Sequence, residues 1–186
     1  MYVKDAILLI SSLTDYSLDL LLSCGELVQY PKGHVLIEQG TVGHDIYILT
    51  EGIIRAYTTQ KGEEVTFWIG EEGCIACSMK NYVEQQPGYE TIELLEDCTL
   101  YRIRMADLDQ LYKENIEIAN WGRKFIEKEV MKVENRLISH QFRTAKERYD
   151  ELISKYPRLL QRVPLRIIAS YLGITQVSLS RIRAQK

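Results

Sequence analysis

The spacing of apolar residues divides the chain into three successive patterns. Residues 4–24 repeat apolar side chains at helical intervals, which predicts helical structure at the start. From Leu27 the interval changes to two, and Lys61-Gly62 is predicted to form the tip of a hairpin. Runs rich in β-branched and aromatic residues predict strands at 35–37, 46–49, 53–57, 65–69, 91–95 and 100–103. Short strands separated by turns, then helices from about Met105, predict an α+β fold led by a sandwich or small barrel.

A stripe of small and apolar residues runs along the first long helical segment in steps of three and four. Charged residues flank it, as they flank the seam between two helices packed along each other. The stripe therefore predicts self-association, and the alternative is a helix buried against its own β-domain. Loss of phase at Ser139-His140 predicts a bend there. The predicted dimer contacts are Gly122, Ile126, Val130, Val133 and Leu137.

Residues 163–183 carry the most specific pattern in the chain, that of two short helices joined by a tight turn. Pro164 suits a first helical turn, and Gly173 permits a left-handed residue where that helix ends. Thr175 can cap the next helix through its hydroxyl group. Ile168, Ala169, Leu172, Leu179 and Ile182 are predicted to form the buried face.

This spacing predicts a helix-turn-helix whose second helix enters the major groove of DNA. Gln can pair with adenine and Arg with guanine, so Gln176, Val177 and Arg181 are the predicted base contacts. Thr175 and Ser178 are better placed for phosphate. The alternative is a plain helical hairpin without a nucleic-acid role. The full set of predicted DNA-binding residues is Thr175, Gln176, Val177, Ser178, Ser180, Arg181 and Arg183.

The distribution of charge strengthens this interpretation. Net charge is only −3, yet residues 1–122 hold 8 basic and 20 acidic side chains, whereas residues 123–186 hold 15 basic and 6 acidic ones. No acidic residue follows Glu151. An acidic body joined to a basic C-terminal module is typical of a protein that binds a polyanion.

Several other classes of protein find no support in the sequence. No nucleophile elbow, phosphate-binding loop or zinc-protease motif is present, so no enzymatic activity and no cofactor are expected. No apolar run approaches the length of a membrane span, and the first residues lack a signal-peptide pattern, so the expected location is cytoplasmic. Four cysteines in 186 residues do not indicate a secreted disulfide scaffold.

Taken together, these motifs resemble the Crp-Fnr family of bacterial regulators. The resemblance rests on Lys32–Gly40 and Tyr47–Ile54 at the front, and on Leu172–Thr175 and Leu179–Ile182 at the back. It implies an N-terminal antiparallel, jelly-roll-like β-roll sensor (1–112), a long dimerisation helix (113–139) and a C-terminal helix-turn-helix domain (140–186). The partners that it implies are double-stranded DNA, a second copy of the chain, RNA polymerase and a small-molecule effector of unknown identity.

The chain departs from the cyclic-AMP-binding members of that family in the phosphate cassette. Those members carry a Gly-Glu pair and an arginine, whereas no arginine occurs here between Arg55 and Arg102. Glu71, Glu72 and Glu90 would repel a phosphate, so useful affinity for cyclic AMP is not expected. The residues that correspond to the effector pocket are Gly73, Cys74, Ile75, Cys77, Ser78, Tyr89 and Thr91.

Two further expectations concern the connection and the cysteines. Only about seven residues join the linker helices to the helix-turn-helix, so flanking phosphate contacts are assigned to Arg158, Arg162 and Arg166. The Cys74-x-x-Cys77 pair leaves a redox switch open, although packing as small hydrophobic residues is the simpler interpretation. A rival to DNA binding is a ligand- or redox-sensing module that acts through protein contacts.

Overall fold

The structure is a computed structural model, and it describes residues 1–184. The predicted end of the second helix of the helix-turn-helix at Lys186 lies outside the described residues. Two four-stranded antiparallel sheets form the front of the molecule, with strand orders β1-β8-β3-β6 and β2-β7-β4-β5. The strands are β1 (Gly25–Tyr30), β2 (Val35–Ile37), β3 (Asp45–Glu51), β4 (Ile54–Gln60), β5 (Glu63–Gly70), β6 (Ile75–Ala76), β7 (Thr91–Leu94) and β8 (Cys98–Arg104). The α+β class with an antiparallel β-roll is therefore confirmed.

The hairpin predicted at Lys61-Gly62 joins β4 to β5. Gln60 pairs with Glu63, so the loop contains two residues, and both have positive φ (53° and 84°). Two consecutive positive φ values give the tight turn whose twist matches that of antiparallel strands. The prediction missed β1 and β6, because β1 alternates poorly in burial and β6 has only two residues.

Nine helices complete the described part of the chain. They are α1 (Val3–Leu8), α2 (Asp15–Ser23), α3 (Met79–Glu84), α4 (Met105–Glu114), α5 (Ile116–Phe142), α6 (Ala145–Lys155), α7 (Leu159–Arg162), α8 (Leu165–Tyr171) and α9 (Gln176–Ala184). The helical segment predicted over 4–24 is broken in two, because Thr14 adopts an extended conformation and caps α2 by accepting from Ser17 N–H. Within residues 1–184, no helix is both long and apolar enough to cross a bilayer.

The two halves of the 27-residue helix α5 have different surroundings. In the first half, Trp121 is 1% exposed, and its indole N–H donates to the carbonyl oxygen of Ile7 at 2.9 Å. In the second half, Val130, Val133 and Leu137 are more than half exposed. The first half of the helix is therefore part of the core, whereas the second half exposes an apolar face that no other part of the described chain covers.

Gly122, one of the predicted dimer contacts, is covered by its own chain. It is buried, and a Cβ atom built on it would lie 2.5 Å from the hydroxyl oxygen of Tyr112. The small residue thus admits a neighbouring side chain of its own chain, and a partner helix cannot reach it. Ile126 is half-buried and also faces the roll, beside Cys77.

The bend predicted at Ser139-His140 occurs slightly later. Helix α5 continues to Phe142, and Arg143 is the first residue with extended backbone. A capping box then starts α6: the hydroxyl oxygen of Thr144 accepts from Glu147 N–H, and the Glu147 carboxylate accepts from Thr144 N–H. The bend is fixed by this cap, because the cap satisfies the first amides of the new helix.

Helices α6 to α9 share a core with the β-roll. Leu152, Ile168 and Leu179 form its centre, and Ile53 and Leu95 of the roll belong to the same buried cluster. The C-terminal helices are therefore packed against the β-roll rather than connected to it only through α5.

Candidate nucleic-acid interface and effector pocket

Helices α8 and α9 meet at a tight turn that is built as the sequence predicts. Gly173 has a φ of +67°, and its N–H donates to the carbonyl oxygen of Ser170 at 3.0 Å. Ile174 N–H donates to the carbonyl oxygen of Ala169, also at 3.0 Å. Ala169 is 2% exposed and Leu179 is fully buried, so a small residue and an apolar anchor seat the second helix. A Cβ-bearing residue at 173 would be strained in this backbone conformation.

The residues predicted to touch DNA lie mainly on the outer surface of α9. Ser178 N–H donates to the hydroxyl oxygen of Thr175 at 3.1 Å, as predicted for a cap, and the two hydroxyl groups are 2.9 Å apart. Val177 is 62% exposed. Ser178 is half-buried, whereas Thr175, Gln176, Val177, Ser180, Arg181 and Arg183 are exposed. Donors, acceptors and one apolar side chain are therefore presented together to solvent.

Two arginines from earlier helices hold the turn between α8 and α9. Arg136, on α5, donates to the carbonyl oxygen of Tyr171 at 3.2 Å, and its guanidinium lies 4.0 Å from the centre of the Tyr171 ring. Arg148, on α6, donates twice to the carbonyl oxygen of Leu172, at 3.2 and 3.0 Å. These bonds satisfy carbonyl groups that the end of α8 leaves without helical partners.

His140 lies beside the same turn. Its Cε1 atom is 3.3 Å from the position that a Cβ of Gly173 would occupy. Burial lowers the pKa of its imidazole below the ordinary value, and the charges of Arg136 and Arg148 lower it further. Arg136, Arg148 and His140 were not predicted from the sequence as positioning residues. No local signal marks them, because their partners are 24 to 35 residues away in the chain.

An ion cluster links the C-terminal helices to the β-roll. Arg162 donates to Glu72 at 2.7 Å and also to Glu96 through a shorter contact. The same Glu72 carboxylate accepts from Gly52 N–H at 3.2 Å. Burial would raise the pKa of Glu72, but hydrogen bonds from Arg162 and from backbone amides outweigh it, and the pKa is lowered. Arg162 was assigned to DNA phosphate, and that assignment is wrong because both carboxylates already occupy its guanidinium.

A neutral contact reinforces this junction. Thr66 N–H, in β5, donates to the hydroxyl oxygen of Ser170 in α8 at 2.9 Å, and that hydroxyl donates to the carbonyl oxygen of Glu64 at 3.3 Å. Helix α8 is therefore hydrogen-bonded to an edge strand of the roll. Because the turn at Gly173 joins α9 directly to α8, these bonds also help to position α9. Arg166 lies 3.7 Å from Glu64 and remains 65% exposed, and Arg158 is also exposed.

The seven residues predicted for the effector pocket do not all contact one another or the same neighbours. Gly73 lies against Leu9 and Met1, and Cys74 packs with the roll core. Ile75 is buried and pairs with Ile48 in the sheet. A second group lies around the start of α3 and the start of β7: Cys77, Ser78, Tyr89 and Thr91. A pocket that includes all seven stays a prediction.

The cysteines are all free thiols, and burial dominates their chemistry. Burial raises the pKa of Cys74 well above its ordinary range, and it raises that of Cys77 to about 12. A thiol attacks or binds metal as its thiolate, which these environments disfavour. Across residues 1–184, no cluster of three His, Cys, Asp or Glu side chains is arranged to hold a metal ion.

Two polar atoms near the second group are buried without a hydrogen-bond partner in the described part of the chain. They are Oδ1 of Asn81 and Oε2 of Glu90, whose side chains belong to residues 3% and 4% exposed. Ser78, which caps α3, is fully buried beside them. From the sequence, Glu90 was predicted only as a nearby negative charge, because burial of an acidic residue has no local signature.

The described chain combines an antiparallel β-roll, a long helix and two short helices joined by a tight turn. Comparison with known families and structures agrees with this fold. The cyclic nucleotide-binding domain family matches residues 27–115. Comparison with curated protein sequences gives no match.

Three solved structures illustrate the similarity of fold. FixK2 from Bradyrhizobium japonicum is 18% identical with a TM-score of 0.75, covering 87% of this chain and 83% of that one. The catabolite activator protein of Thermus thermophilus is 20% identical with a TM-score of 0.61, covering 97% and 85%. The c-di-GMP-responsive regulator CLP of Xanthomonas campestris is 15% identical with a TM-score of 0.72, covering 91% and 90%.

Residues 27–115 therefore match the cyclic nucleotide-binding domain family, and the described chain has the fold of the Crp-Fnr regulators. The predicted resemblance is confirmed at this level.

Proposed function

We propose that this protein is a homodimeric transcription regulator that binds promoter DNA through α9 and responds to a small-molecule effector. The observation that carries the proposal is the outer surface of α9. It is exposed, contains no acidic residue, and combines Gln176 and Arg181 with hydroxyl groups. A helix with these donors and acceptors suits the major groove, where each base pair has a distinct pattern.

The proposed division of labour on α9 follows from side-chain chemistry. Gln176 reads adenine, Arg181 reads guanine, and Val177 contacts a thymine methyl group or its neighbours. Thr175, Ser178, Ser180 and Arg183 contact phosphate or sugar and set the register, with Arg158 and Arg166 as outer phosphate contacts. Because phosphate contacts release counterions, affinity should fall steeply as salt rises.

The uncovered face of α5 supports the dimer. Val130, Val133 and Leu137 are 51%, 65% and 57% exposed and follow one another at helical spacing. Apolar side chains so placed on a long helix favour a second helix packed along them. A two-fold dimer presents two α9 helices to a palindromic site. RNA polymerase is the further partner that the family fold suggests.

The test is a selection of bound sequences from a random DNA pool, followed by anisotropy titrations of the selected site and of its single-base variants. Arg181→Ala should lose about 1–3 kcal/mol of discrimination at one guanine position in each half-site. Arg104→Ala is the matched control, since Arg104 is an exposed arginine of the roll paired with Asp107. If Arg181→Ala keeps the full preference, its assignment is wrong. If no sequence is selected at all, the chain acts through protein contacts instead.

A further inference from the structure

The segment that enters β7 lies directly on the start of α3. A Cβ atom built on Gly88 would be 2.5 Å from the hydroxyl oxygen of Ser78 and 3.5 Å from Oε2 of Glu90. Only glycine allows this approach, which brings the carboxylate of Glu90 next to a fully buried hydroxyl group. Ser78 in turn accepts from the backbone N–H of Asn81 at 3.4 Å, so Asn81 follows Ser78 in the first turn of α3.

Two acceptors in this group have no donor within residues 1–184. Oδ1 of Asn81 and Oε2 of Glu90 are both buried and both unpaired. A buried carboxylate without a cation is costly, because it loses its water and gains no partner. The same roll pairs its other buried charge: Arg55, 3% exposed, lies 2.7 Å from Glu64 and 2.6 Å from Glu93. Glu90 is the exception, and this difference indicates that its partner is not part of the described chain.

The charges around the group are negative. After burial, the largest causes of the raised pKa of Cys77 are the charges of Glu129 and Glu90. Glu129 has its own partner, Lys132, at 2.6 Å. Lys80 is exposed on α3, and no carboxylate of residues 1–184 forms an ion pair with it. An anionic ligand would therefore meet carboxylates, whereas a cationic one would be attracted.

An aromatic side chain lies at the outer edge. Tyr89 is 52% exposed, and its ring is 6.0 Å from that of Phe67. The face of an exposed aromatic ring attracts ammonium groups. Tyr89 therefore offers an exposed aromatic ring directly before Glu90 in the chain.

We propose that this site, which we name the Glu90 site (Ser78, Asn81, Gly88 and Glu90), binds a small molecule through a primary ammonium group. An ammonium group has three N–H donors, and the acceptors that this site offers are Oε2 of Glu90, the hydroxyl oxygen of Ser78 and Oδ1 of Asn81. The proposal rests on the effector clause of the proposed function and names the chemical class of that effector. Binding itself is measured without DNA, so its failure is distinct from a failure of DNA recognition.

The experiment is a thermal-shift and calorimetric titration of the purified full chain with methylamine, ethylamine, propylamine, putrescine and cadaverine. The alcohols of the same chain length are the neutral controls, and cyclic AMP is the anionic one. At least one amine should raise the melting midpoint saturably, because a ligand of the folded state stabilises it. The alcohols and cyclic AMP should not.

Glu90→Gln should weaken the binding of that amine at least tenfold, whereas Glu84→Gln, an exposed carboxylate on α3, should leave it unchanged. Without amine, Glu90→Gln should also melt at a higher temperature than the natural chain, because it removes an unpaired buried charge. This second readout needs no ligand and reports folding directly. The proposal is overturned if no amine produces a saturable shift in the melting midpoint, or if Glu90→Gln and Glu84→Gln bind the amine with equal affinity. It is also overturned if Glu90→Gln lowers the melting midpoint measured without amine.

Discussion

The two halves of α5 carry the same kind of apolar repeat and have opposite environments. Ile118 and Trp121 are covered by α1, α2 and the roll, whereas Val130, Val133 and Leu137 face solvent. The spacing of three and four residues is the same in both halves. Helical periodicity therefore states which residues share a face, and it does not state which surface covers that face.

The largest expected effect tests the covered half. Trp121→Ala should lower the free energy of unfolding by about 3–5 kcal/mol, because it leaves a cavity and removes the donor to the Ile7 carbonyl. Chemical denaturation of both proteins measures the difference. Trp68→Ala is the matched control, since Trp68 is only half-buried in β5 and should cost less. Equal losses would mean that the start of α5 is not anchored in the core.

The next effect tests the exposed half. Val133→Asp should raise the dissociation constant of the dimer by about 100-fold or more, roughly 3 kcal/mol, because it places two like charges in an apolar seam. Sedimentation velocity at several concentrations gives the constant. Unfolding of the monomer should change little, since Val133 is 65% exposed. Asn135→Asp adds the same charge on another side of the helix and should leave the dimer intact; a dimer that survives Val133→Asp contradicts the proposed interface.

A smaller effect connects the exposed half to α9. Arg136→Gln removes the hydrogen bond to the Tyr171 carbonyl and the contact with its ring. It should cost about 1–2 kcal/mol of stability. It should also reduce the preference for one half-site spacing over a spacing changed by one base pair, while base preference within each half-site persists. Titrations on both DNA spacings measure this, with Lys132→Gln, one turn earlier on α5, as control; an unchanged spacing preference would show that Arg136 has only a structural role.

The smallest effect concerns the first turn of α5. Hydrogen bonds from Ser17 and Thr14 lower the pKa of Glu117 below its ordinary value of 4.5. A lowered folded-state pKa contributes stability that is present above pH 4.5 and is lost as pH falls through the folded value. The difference in unfolding free energy between the natural chain and Glu117→Gln should therefore shrink between pH 7 and pH 3. Glu134→Gln, in the exposed half, serves as control, and a difference that grows on acidification would reverse the assignment.

Predictions from the sequence succeeded where the cause was local. The turn at Gly173, the cap at Thr175 and the hairpin at Lys61-Gly62 all follow from backbone demands within a few residues. They failed where a residue meets a distant partner. Gly122 accommodates Tyr112 instead of a second copy, and Arg162 pairs with Glu72, 90 residues away.

The amino-acid sequence by itself determined the tight turn between the last two helices, the antiparallel roll and the acid-free surface of α9, because each depends on periodicity, turn chemistry or composition. Only the tertiary structure decided which half of α5 is covered, which arginines hold the turn before α9, and that Glu90 is buried without a cation. These three features depend on contacts between residues far apart in the chain. The local spacing of residues does not indicate which distant residues will cover a given face in the folded protein.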